Sequence, residues 1–134
     1  MAITTINIIY QSSQPIMADI NLNELFTGKT ATNITSVKWA FKKSRRDADD
    51  AILLKELGTG VTKIDVTADD GSVKVRLTLN LSSDDWLKLS FGENYIMAIG
   101  VKVDTQSNDD KHVEVFNNRK EIIRVKVVED SLRA

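Results

Sequence analysis

Polar and apolar residues alternate one by one along most of this chain, the pattern of strands that send successive side chains to opposite faces of a sheet. Ile6, Ile8 and Tyr10 alternate with polar neighbours near the start, and Ile16, Ala18, Ile20 and Leu22 do the same next. Further on, Val37, Trp39 and Phe41 share one face while Lys38 takes the other. Residues 51–57 form a short apolar run that reads as a strand, although one helical turn would look similar. Residues 61–67 alternate again, with Val61, Lys63, Asp65 and Thr67 set against Thr62, Ile64 and Val66. Asp69-Asp70-Gly71 is a turn signal, because Asp-Gly tolerates the positive φ angles of tight hairpins. After it, Val73, Val75, Leu77 and Leu79 alternate with Lys74, Arg76, Thr78 and Asn80, one face dry and the other wet.

Ser82, Ser83, Asp84 and Asp85 supply N-cap residues ahead of Trp86, Leu87 and Leu89, which predicts one short helix ended by Gly92. Strand alternation resumes with Tyr95, Met97, Ile99, Val101 and Val103 on one face. Asn108-Asp109-Asp110 reads as a hairpin tip, residues 112–116 and 121–128 as the last strands, and the polar tail 129–134 as frayed. No helical pattern alternates with the strands, so a parallel α/β architecture is not expected. The pattern predicts an all-β fold: an antiparallel two-sheet β-sandwich of about eight strands with one short helix, as a single domain over residues 1–134.

Composition narrows the chemistry. The 134 residues carry 18 basic and 19 acidic side chains, for a net charge of −1, so nothing draws the chain generally to nucleic acid or to anionic membranes. With no cysteine, disulfides, thiolate catalysis, zinc–sulfur sites and iron–sulfur clusters are excluded. The first ten residues lack the basic start and apolar core of a signal peptide. No apolar run reaches the roughly 20 residues a membrane-spanning helix needs.

Candidate chemical groups are few. His112 is the only histidine and reads as a surface or edge residue beside Val113. Asp47, Asp49 and Asp50 resemble a fragment of a calcium loop, but the glycine bend and a terminal glutamate at the right spacing are missing. Lys42, Lys43, Arg45 and Arg46 precede these acids and would partly neutralise them, so a solvated hairpin tip competes with either a calcium or a phosphate site. Trp39 and Trp86 have the spacing of core anchors, with stacking on a sugar or base as the alternative. The scattered glycines form no phosphate-cradling loop. No catalytic, metal or cofactor site is expected, and the chain reads as a binding or structural module and not an enzyme.

One ordered stretch carries family information. It runs from Ser-Val-Lys-Trp-Ala-Phe through a charged hairpin tip to Ala-Ile-Leu-Leu-Lys and Gly-Ser-Val-Lys-Val-Arg-Leu-Thr-Leu. Asp84-Asp85-Trp86-Leu87-Lys88-Leu89 and Phe91-Gly92-Glu93-Asn94-Tyr95 follow, then a long strand, a polar hairpin and a closing strand. This order resembles the immunoglobulin-like β-sandwich of phage tail and baseplate proteins, such as the N-terminal domain of baseplate upper proteins, over about three-quarters of the chain. The resemblance makes Trp39, Trp86, Leu89, Gly92 and Tyr95 structural anchors. Where such domains place a glycine before the last strand, this chain has Asn117-Asn118-Arg119, and asparagine also reaches the left-handed backbone region.

The resemblance implies a virion protein made in the host cytoplasm, contacting other virion proteins or copies of itself, without nucleic-acid or membrane partners. A carbohydrate- or host-surface-binding module is the alternative. Residues 1–12 read either as a docking arm bearing Ile6, Ile8 and Tyr10 or as the first strand of the same sandwich.

Overall fold

The computed structural model describes residues 2–9, 14–44, 46–90, 92–107, 110–115 and 121–128. Half of the chain is strand, so the all-β expectation holds. The strands are β1 (Ala2–Ile9), β2 (Ile16–Ile20), β3 (Ile34–Lys42), β4 (Leu53–Leu57), β5 (Gly60–Thr67), β6 (Val73–Leu79), β7 (Asn94–Val103), β8 (Val113–Glu114) and β9 (Glu121–Val128). Two short helices, α1 (Leu22–Leu25) and α2 (Ser83–Trp86), and a 3-10 turn at Ala31–Asn33 complete the described elements. Leu22, expected at the end of a strand, instead opens α1 and is 1% exposed. Asn108, Asp109 and residues 116–120 lie outside the described residues, as do Tyr10 and the tail 129–134.

The strands form one curled, half-barrel sheet in the order β1-β9-β7-β3-β4-β5-β6-β2, with β8 also on β7. β7 divides one of its edges: Asn94–Met97 pairs with β9, while Gly100 and Val101 pair with β8. The expected all-antiparallel arrangement needs correction, because two of the pairings are parallel. β1 runs parallel to β9 over eight residue pairs, from Ala2↔Glu121 to Ile9↔Val128. The first and last strands thus lie side by side at one end of the sheet. The second parallel contact joins β4 to β5 through only Glu56↔Gly60 and Leu57↔Val61. It is a corner and not a ladder. Gly58 (φ 88°) and Gly60 (φ 102°) let the chain make this corner, in backbone conformations that side-chain-bearing residues rarely adopt.

The inner faces meet as the alternation predicts. Val37, Trp39 and Phe41 of β3 pair directly with Val101, Ile99 and Met97 of β7, and none exceeds 4% exposure. Val75, Leu77 and Leu79 of β6, Ala18 and Ile20 of β2, and Val125 and Val127 of β9 join the same core. Each such large side chain contributes about 1.5–3 kcal/mol on burial.

β5 departs from the usual rule that the apolar side turns inward. Its Val61, Lys63 and Asp65 pair with the inward Leu79, Leu77 and Val75, which leaves Ile64 60% exposed on the outer side. The reason lies at the 3-10 turn. The Lys63 ammonium donates to the Ala31 and Ile34 carbonyls (2.5 and 2.8 Å), and the Asp65 carboxylate accepts from the Ala31 amide at 3.0 Å. These two polar side chains bond backbone groups where the chain enters β3, adding to the bond that the Ala31 carbonyl already accepts from the Ile34 amide.

Candidate functional site

The outer face of β3 and β7 carries a cleft of about 510 Å³. Its form follows from local sequence. On β3, large residues point inward and Lys38, Ala40 and Lys42 point outward. On β7, the outward set is Ile96, Ala98, Gly100 and Lys102. Ala40 lies directly opposite Ala98, both small, while Lys38 lies opposite Gly100, over which His112 packs. The short segment leading into β8 forms one wall, with Asp110, His112 and Glu114, and Asp49 stands on the loop between β3 and β4.

Gly100 is what admits that wall. A Cβ at this position would lie 2.9 Å from the His112 Cβ, so any side chain would push the segment off the sheet. His112 is held there by a 2.8 Å hydrogen bond between its Nε2 and the Ser36 hydroxyl of β3. Burial lowers the basicity of the imidazole below its ordinary value, and the ammonium groups of Lys38 and Lys102 lower it further, against Glu56 and Asp49. The histidine expected at a surface or edge is half-buried and pins the segment to β3. The contact spans 76 positions in sequence, so no local pattern could have announced it. A hydroxyl beside an imidazole is also the start of a nucleophile–base pair, but that chemistry further needs an orienting group on the ring and donors for an oxyanion. Tying β3 to the segment before β8 is the role this geometry displays.

Of the charged residues expected near residue 45, Lys42, Lys43, Asp47 and Asp49 are engaged with partners. Lys42 is only 7% exposed, with its ammonium 2.6 Å from Asp49. That ammonium holds the Asp49 carboxyl below its ordinary range, against the opposing effect of burial. Asp47 accepts from the Ser44 amide at 3.0 Å. Lys43 reaches Glu93 at 2.7 Å and sits 4.5 Å above the Tyr95 ring. Arg45 lies outside the described residues. Among the described residues no group of three or more His, Cys, Asp or Glu side chains is placed to hold a metal ion.

The anchors suggested by resemblance are buried, apart from Gly92. Trp39, Trp86, Leu89 and Tyr95 are exposed by 0, 4, 2 and 3%, respectively. Gly92 is exposed and takes φ 80° between α2 and β7. The Tyr95 hydroxyl accepts from the Ser90 amide at 2.7 Å, fastening that connection to the start of β7. α2 itself begins with a capping box: the Ser82 hydroxyl accepts from the Asp85 amide, and the Asp85 carboxylate accepts from the Ser82 amide at 2.9 Å. Asp85 also pairs with Lys55 of β4 at 3.0 Å, linking the helix to the sheet.

Of the three residues of the suggested arm, Ile8 is 7% exposed within this chain's own core. Ile6 pairs along the backbone with Val125, and Tyr10 is outside the described residues. Compared with family models and with curated proteins, the chain matches none.

Proposed function

We propose that the chain is a structural protein of a phage or prophage virion, a tail, baseplate or capsid accessory module acting through protein–protein contacts on an immunoglobulin-like β-sandwich. Three features support the sandwich reading. β1, β9, β7, β3 and β4 make one run of strands, and β5, β6 and β2 another, with the Gly58–Gly60 corner between them. A tryptophan, Trp39, is buried on the third strand. A tyrosine hydroxyl, that of Tyr95, closes the corner before β7, as in many immunoglobulin-like domains. The virion assignment draws on the strand order and anchor residues shared with tail and baseplate domains.

The observation that carries the contact function is β1. It is the outermost strand, eight residues long, and its sequence AITTINII holds neither a charge nor a proline. Monomeric proteins usually blunt such an edge with lysine, proline or a bulge, because its free backbone groups recruit another strand. Among the described residues no strand pairs with the far side of β1. An edge of this composition is suited to adding a neighbour's strand.

An exposed tryptophan would favour the glycan-binding alternative. With Trp39 and Trp86 both buried, it would need a different platform. The functional test is genetic: particles lacking this chain are expected to fail in assembly, attachment or infection. Particles that assemble and infect normally without it would remove the virion role.

A further inference from the structure

We propose that β1 pairs with β1 of a second copy of this chain, antiparallel and centred on Ile6, joining two sheets across a two-fold axis. The inference rests on the contact function above and names its partner. β9 holds β1 along eight residue pairs, from Ala2 to Ile9, so the opposite edge is presented already extended. A strand that needs no further ordering loses little entropy when another is added to it.

The two ends of the sheet differ as partners for that edge. β2, at the other end, has only five residues, follows Pro15 directly, and carries Asp19 in an ion pair with Arg76 at 2.8 Å. Shortness, proline and charge all blunt an edge, and a contact between β1 and β2 would repeat head to tail. β1 against β1 is the same patch on both copies, so the assembly closes at two. With no charge in AITTINII, the second copy meets no like-charge repulsion.

The register follows from residue types. With both cores on one side of the joined sheet, each position meets one that belongs to the same face, so the centre falls on a residue and not between two. Thr5 and Ile6 are the centres that keep most of the strand paired. A centre at Thr5 sets Ile3 against Asn7 and Thr4 against Ile6, both polar with apolar. A centre at Ile6 sets Ile3 against Ile9, Thr5 against Asn7 and Ile6 against its own copy, leaving only Thr4 against Ile8 mixed. Matched cross-strand pairs favour the second.

Sedimentation velocity of the full chain across a wide concentration range is the test. Wild type is expected to pass from monomer to dimer as concentration rises. Thr5→Lys/Asn7→Lys sets like charges opposite each other twice in this register and is expected to weaken dimerisation about tenfold or more. Thr5→Lys/Asn7→Glu sets opposite charges there instead and is expected to dimerise to within about threefold of wild type. That rescue separates loss of pairing from loss of folding. It also reports the register, because a centre at Thr5 would leave the introduced lysines facing each other.

A wild-type chain that stays monomeric at every concentration would overturn the pairing. So would a first variant that dimerises like wild type, or a second variant that dimerises no better than the first. The two readings can fail separately. A monomeric chain that enters particles through β1 would discard self-pairing and keep the contact function, with another protein's strand as partner. A dimer that particles never contain would discard the virion role and keep the pairing.

Discussion

The carboxylate of Asp85 accepts from the Ser82 amide and faces the Lys55 ammonium at 3.0 Å, in a residue only 6% exposed. Burial by itself would raise its pKa and is the largest single influence. The Ser82 amide, the Lys55 ammonium and the Ser82 hydroxyl together outweigh burial and hold the group below 3.8. The unfolded chain therefore takes up the proton first as pH falls. The stabilisation from Asp85 is complete above the ordinary carboxylate value and is lost as pH falls through the lower folded value. Asp85→Asn strands the Lys55 ammonium in a largely buried position, and a cost of about 3 kcal/mol in urea unfolding is expected. Tyr95→Phe removes only the acceptor for the Ser90 amide, so about 1–2 kcal/mol is expected from the same measurement. Equal costs would mean that the Lys55–Asp85 pair adds nothing beyond one hydrogen bond. Trp39, by contrast, keeps an indole N–H without a hydrogen-bond partner in the core. Its bulk between β3 and the opposing strands explains its position, while its N–H has no structural role that we can identify.

Among the elements, β8 is held to the sheet by a bond on each of its flanks. His112 bonds to Ser36, and the Val115 amide donates to the Ile99 carbonyl at 2.9 Å. Because folding lowers the pKa of His112 from 6.5, the unfolded or undocked state binds the proton first. Docking is therefore undisturbed above that value and weakens as pH falls below it, a cost that levels off beneath the folded pKa. Amide exchange at Val113 and Val115, corrected for intrinsic rates, is expected to show more frequent opening at about pH 5 than at about pH 7. Lys38→Gln is expected to move the His112 titration upward by removing the larger of the two repulsions. A midpoint at or above the ordinary histidine value would refute this account.

The same scale shows what the sequence made legible. β7 could be read almost residue by residue, because its alternation of Tyr95, Met97, Ile99, Val101 and Val103 follows directly from one buried face. The hairpin at Gly71 and the capped helix at Ser82 were likewise legible, since turn and cap preferences act within a few residues. β5 was not, because Lys63 and Asp65 turn inward to serve the 3-10 turn some 30 positions earlier in the chain, a demand invisible to local periodicity. The cleft escaped for a related reason. Alanine and glycine on an outward face look like weak strand residues until the pairing of β3 with β7 sets Ala40 beside Ala98. The parallel lie of β1 on β9 joins the two ends of the chain, and alternation gives a strand's faces but not its direction.

At the scale of the whole molecule, the curled sheet closes its core with inward side chains but leaves β1 at one end as a long, uncharged edge. The lysine-rimmed cleft lies elsewhere, on the outer face of the central strands. The central claim is that β1 docks this chain into a particle. The most direct measurement compares tagged wild-type chain with the Thr5→Lys/Asn7→Lys double variant, at positions that alternate with the buried Ile8, for incorporation into purified particles. Lysine on an edge strand deters a further strand while leaving the strand's own pairing possible, and thermal unfolding of the variant confirms that it is folded. The account predicts that the wild-type chain co-purifies with particles and that the folded variant stays free. Absence of the wild-type chain from particles, or incorporation of the variant at the wild-type level, would contradict it.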